Sequence, residues 1–131
     1  MYQNTSSAYK QYQNNQVNTS TQGKLVLMLY DGAIRFMRCA ILSLEEKEIE
    51  KSNRFLIKAQ KIISELMETL NFNAGSIANN LYNLYDYMYK ELVLANIEKD
   101  KNKVLAVKEM MESIRNTWVS SGQTAAEKRR C

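Results

Sequence analysis

Leu25-Val26-Leu27-Met28-Leu29-Tyr30-Asp31-Gly32-Ala33-Ile34-Arg35-Phe36-Met37 is too apolar for a solvated surface and too closely punctuated by charge for a membrane. As a helix it has one wet line: Asp31, Arg35 and Arg38 stand at spacings of four and three, Lys24 extends the line, and an Asp31 to Arg35 pair is expected along it. The remaining positions, with Ala40 and Ile41 further on, are apolar over more of the circumference than a two-helix contact needs. This helix therefore calls for protein on several sides, and Met28 is taken as a dry-core position. Gly32 in mid-helix costs about 1 kcal/mol relative to Ala, which points either to a close approach of another backbone or to a glycine that the helix simply tolerates.

The rest of the chain fits around such a helix. With 131 residues it supports one core, and with no Pro and 4 Gly little interrupts helices. The net charge of +4 is modest, and acids are interleaved with bases, a pattern unlike a basic nucleic-acid stripe. Cys39 and Cys131 do not resemble a disulfide framework, so a reducing compartment is expected. Met1-Tyr2-Gln3-Asn4-Thr5 has neither a basic n-region nor an apolar h-region, and no run approaches the ~20 apolar residues of a membrane span.

Residues 1–18 are rich in Gln, Asn, Ser and Thr, with Tyr2, Tyr9, Tyr12 and Val17 as the main anchoring groups, and read as a mobile or short-helical N-terminal arm. The bundle proper is expected over 19–121. Its first helix runs from about Gln22 to Glu45 with Thr21 as N-cap, and its second from about Glu50 to Asn71, with Phe55, Leu56, Ala59, Ile62, Ile63, Leu66 and Leu70 as its apolar stripe. Asn71-Phe72-Asn73-Ala74-Gly75-Ser76 is the clearest turn, with positive φ at Gly75 and a cap at Ser76. The third helix, about Ile77 to Ile97, has Leu81, Leu84, Tyr85, Met88, Leu92 and Ala95 on its core side. The fourth, about Lys101 to Ser120 with Asp100 as cap, buries Val104, Val107, Met111, Ile114 and Trp118. Residues 122–131, ending in Lys128-Arg129-Arg130-Cys131, read as a frayed basic tail. Helices of similar length with short corners run up and down, giving an all-α, antiparallel four-helix bundle.

Chemistry is scarce. Without His, and with the cysteines at no ligand spacing, neither metal nor nucleophilic catalysis is indicated; no phosphate loop is present, and no catalytic, metal or cofactor residue is assigned. Instead there is surplus apolar surface. Leu27, Ile34 and Met37 of the first helix and Tyr82, Tyr89 and Val93 of the third lie beside the most compact stripe, and are read as a groove for an amphipathic partner helix.

Val17-Asn18-Thr19-Ser20 leading into 25–36, then Lys58-Ala59-Gln60-Lys61-Ile62-Ile63, Leu81-Tyr82-Asn83-Leu84-Tyr85-Asp86-Tyr87-Met88, Ala95-Asn96 and Trp118, resemble in order and spacing the FliS family of flagellar secretion chaperones. The resemblance covers about residues 12–119. Thr21-Gln22 stands where that family often has Ser-Pro. It implies a cytoplasmic chaperone, not an enzyme, that binds the C-terminal helical region of flagellin, prevents premature polymerisation and supports export through the flagellar type III secretion system, with the export gate as a further partner. It also implies that the arm, with Tyr9, Tyr12 and Val17, lies over part of the groove in the free protein. The alternative from the residues alone is a small basic helical adaptor holding nucleic acid through Arg35, Arg38 and Lys128-Arg129-Arg130. A third is a homo-oligomer whose apolar faces meet each other.

Overall fold

The structure, a computed structural model, describes residues 19–120 and Cys131. The expectations for the arm and for most of the basic tail lie outside the described residues.

Four long helices account for nearly all of the described chain: α1 Thr19–Glu45, α2 Ile49–Glu68, α3 Ser76–Glu98 and α4 Lys101–Ser120, with one 3-10 turn, Phe72–Ala74, before α3. α1 begins at Thr19, so Thr21 lies inside the helix, not at its cap. The α1–α2 and α3–α4 corners are each closed by a lysine in the left-handed region, Lys47 at φ 60° and Lys99 at φ 54°. Around Lys47, the Glu48 N–H donates to the Ser43 carbonyl and the Lys47 N–H to the Leu44 carbonyl, satisfying carbonyls that the helix end leaves open. Asp100 caps α4 as expected: its carboxylate accepts from the Asn102 N–H at 2.9 Å. Gly75 has φ 103°, as the turn requires, but it is Gly75 and not Ser76 that occupies the cap position of α3, with no side-chain bond.

The helices form an antiparallel bundle in which α1 packs on α2 and α4, and α3 packs on the same two from the other side. α1 and α3 therefore face each other across the diagonal. The breadth of the α1 stripe follows: Val26, Tyr30, Ala33, Ile34, Met37 and Ala40 all enter the core, meeting Leu56, Ala59, Ile63 and Leu66 of α2 and Val104, Val107 and Met111 of α4. At about 1.5 to 3 kcal/mol for each large apolar side chain fully buried, this interior is the main source of stability.

Three local expectations are corrected. Met28 is 61% exposed; it lies two turns before Arg35 on the same outward line, so its apolar neighbours in sequence are not its neighbours in space. Asp31 is met from α4, by Arg115, and not along its own helix by Arg35. The Arg35 guanidinium lies over the Phe36 ring, 4.6 Å from its centroid. What approaches Gly32 is a side chain and not a backbone: an added Cβ would stand 3.1 Å from the Ile62 Cδ1 methyl.

A fourth correction concerns the cysteines. Cys39 and Cys131, 92 residues apart in sequence, are joined by a disulfide, with their Cα atoms 5.3 Å apart. The last residue of the tail is thus fixed to α1 rather than frayed. Sequence spacing carries no sign of this, because a pairing over such a separation depends on where the chain end is brought by the fold.

Candidate partner-binding face

Among the described residues, α3 carries more exposed large apolar side chains than any other helix: Ile77, Tyr82, Tyr87, Leu94 and Ile97. Tyr85, Met88, Leu92 and Ala95 are consumed by the core. To one side of them, Tyr82, Tyr89 and Val93 follow at spacings of seven and four, which puts them on one line of the helix along the α2 side. Tyr82 is 42% exposed, while Tyr89 and Val93 are half-buried. At 1.5 Å per residue the line is about 16 Å long, enough for three turns of a partner helix. Ile97 continues it on the outer side and is exposed.

A polar clasp sets the register of α3 on α2. The Asn96 side-chain amide donates to the Asn53 side-chain oxygen at 2.7 Å, and the Lys99 ammonium donates to the Asn96 side-chain oxygen at 2.7 Å. One turn further along α2 and one turn back along antiparallel α3, Ile57 comes opposite Val93, and Ile57 is exposed. At the far end Phe72, from the 3-10 turn, packs on Tyr82 with ring centroids 5.9 Å apart. The face is therefore a shallow apolar strip bounded by Phe72 at one end and by the asparagine clasp at the other. Asp86 and Lys90, paired at 3.0 Å, border it on the crest of α3.

Leu27, Ile34 and Met37 do not share this strip. All three are buried, Ile34 and Met37 within the core cluster, and they belong to the helix diagonal to α3. The bundle covers most of the wide α1 stripe, leaving Met28 and Leu42 exposed, whereas Ile77, Tyr82, Tyr87, Leu94 and Ile97 of α3 are all exposed. On the opposite, α4-facing flank of α3, Tyr87 and Leu94 are also exposed. Ile57, Phe72 and the Asn53–Asn96 clasp escaped the sequence reading. Asn96 stood in a quoted block without a role, and an isolated Ile on a wet helix face carries no signal alone.

Beneath the strip, the Tyr85 hydroxyl meets the Tyr30 hydroxyl of α1 at 2.5 Å, with the rings edge to face. Burial pushes the Tyr30 phenol well above its ordinary value, and Tyr85 reinforces the shift, whereas the Trp118 side chain opposes it. Burial raises Tyr85 as well. Two neutral phenols bonded to each other are structural, not nucleophilic. Among the described residues no cluster of His, Cys, Asp and Glu is suited to a metal ion, and no helix is long and apolar enough to cross a membrane.

The described residues thus form an antiparallel helical bundle with exposed apolar side chains along α3. The family described as flagellar protein FliS matches residues 5–125, and the chain belongs to it. It is 41% identical over 121 residues to the flagellar secretion chaperone FliS of Bacillus subtilis, covering 92% of this chain and 90% of that protein. Its identity to the chaperone of the same name from Campylobacter jejuni is 30% over 123 residues, covering 92% and 96% of the two chains. For the Salmonella typhimurium protein of that name it is 32% over 104 residues, 78% and 77% of the chains.

Proposed function

We propose that this chain is a cytoplasmic, non-enzymatic chaperone that binds the C-terminal helical region of flagellin, holds it unpolymerised and supports its export through the flagellar type III secretion system, with the export gate as a second partner. Relatives named flagellar secretion chaperones support the role in flagellar secretion. The observation that carries the binding site is the partly exposed Tyr82–Tyr89–Val93 line between the Phe72 ring and the Asn53–Asn96 clasp. An amphipathic helix laid on this strip buries the apolar face by which flagellin subunits otherwise pair, and the tyrosines supply area while their hydroxyls stay wet. Tyr9, Tyr12 and Val17 of the N-terminal arm are the groups we assign to covering part of this surface before flagellin arrives.

A protein partner fits the charge distribution better than nucleic acid. Lys51, Lys90, Lys101, Lys108 and Arg115 are each paired with an acidic side chain, and the net charge of +4 is small for a surface that binds a phosphate backbone. Light scattering of flagellin under polymerising conditions tests the reading. An equimolar amount of the chain is expected to suppress filament growth, with little dependence on salt. Growth at the rate of flagellin alone, or a bound state that dissolves steeply with salt as phosphate contacts do, contradicts it.

A further inference from the structure

We propose that Cys39 and Cys131 form a reversible thiol–disulfide exchange site, a redox latch that fastens the end of the chain to α1 when oxidised and releases it when reduced. The bond joins residues 92 apart in sequence, one in the middle of a long helix and the other at the last position of the chain. The two sulfurs differ in access. Cys39 is 1% exposed, with its carbonyl held by the Ser43 hydroxyl at 2.9 Å, whereas Cys131 is exposed.

That asymmetry fixes the course of the exchange. A low-molecular-weight thiolate attacks the Cys131 Sγ, the accessible one; the sulfur–sulfur bond breaks, and its electron pair leaves on the Cys39 Sγ, which then takes a proton. A second thiolate attacks the sulfur of the small molecule in the mixed disulfide and releases Cys131 as a thiolate. In sum, two small thiols are oxidised to their disulfide and the protein gains two thiols. Closure is the reverse, with a low-molecular-weight disulfide as oxidant. The inference rests on the cytoplasmic placement proposed above, because in a reducing compartment a cystine is a transient or redox-sensing bond and not a permanent staple.

The test uses the full chain equilibrated in mixtures of reduced and oxidised glutathione without denaturant. Cleavage after glutamates followed by mass spectrometry is expected to give residues 128–131 linked to the α1 peptide under oxidising conditions. Across the mixtures that species should be exchanged reversibly for a chain with both thiols open to maleimide. Reduction should lower the melting temperature by roughly 10 °C, since closing a long loop restricts the unfolded chain. Cys131→Ser, a change at the chain's end, should melt at one temperature in every mixture. Absence of the linked peptide, reduction only after unfolding, or a redox-dependent melt that survives in Cys131→Ser each overturns the latch. Flagellin binding by Cys131→Ser reads the proposed function separately, so failure of the latch is not confused with failure of the chaperone reading.

Discussion

The Tyr30 and Tyr85 hydroxyls meet at 2.5 Å inside the bundle, joining α1 to the helix diagonally opposite. Both side chains are almost wholly buried, so the hydroxyls bond each other in place of water, and the Trp118 side chain is a further partner of Tyr30. Tyr30→Phe removes one partner and strands the Tyr85 hydroxyl, at an expected cost of about 1 to 3 kcal/mol by urea unfolding. The double change to Phe should cost less than the sum of the two single changes, because it leaves neither tyrosine hydroxyl stranded. Strict additivity would show that the hydroxyls do not depend on each other.

The same pair sets the response to alkali. Burial holds both phenols above their ordinary value, so the native state keeps protons that the unfolded chain gives up. The stability involved is fully present below about pH 10 and is lost as pH rises beyond it, at up to about 1.4 kcal/mol per pH unit for each phenol. Of the 8 tyrosines, Tyr30 and Tyr85 are expected to ionise only with unfolding, by near-ultraviolet phenolate absorbance. Ionisation of all of them near the ordinary value in a still-folded chain would contradict the buried pair.

Met28 and Leu66 separate core from apolar surface. Leu66 is fully buried, so Leu66→Asp should cost several kcal/mol and abolish the cooperative melt. Met28 is exposed, so Met28→Asp should change stability by about 0.5 kcal/mol or less. A severe loss from Met28→Asp would mean that a partner or another part of the chain covers it.

Gly32→Ala is expected to stabilise α1 by about 0.4 to 1 kcal/mol, since alanine removes freedom from the unfolded chain and suits a helix interior. The new Cβ would stand 3.1 Å from the end of the flexible Ile62 side chain, which need yield only a few tenths of an ångström. A loss of stability in thermal melts would show that Ile62 cannot move.

Periodicity carried most of the architecture. The stripes of α2 and α4 read as buried lines because polar residues mark both margins, and the structure buries Leu56, Ile63, Val104 and Met111 as expected. α1 was harder, because nearly every position is apolar and the stripe has no clear margin. Met28 and Leu27 look alike in sequence, yet one is exposed and the other buried. The corners were legible as places but not as geometry: Lys47 and Lys99 hold positive φ, a task usually left to Gly. Contacts between helices, such as Asp31 with Arg115 and Asn53 with Asn96, depend on register, which no single helix encodes. The candidate face was therefore half legible. Its α3 line, Tyr82, Tyr89 and Val93, is a local spacing, whereas pairing it with α1 required knowing which helices are neighbours.

The central claim is that this α3 line receives flagellin's C-terminal helices, and titration calorimetry with a peptide from that region tests it most directly. Tyr89→Ala combined with Val93→Ala is expected to weaken binding by roughly 1 to 4 kcal/mol, as for interface anchors, while urea unfolding shows a smaller loss than a core truncation. Unchanged affinity beside a severe loss of stability would make these residues part of the core and remove the strip as the binding face.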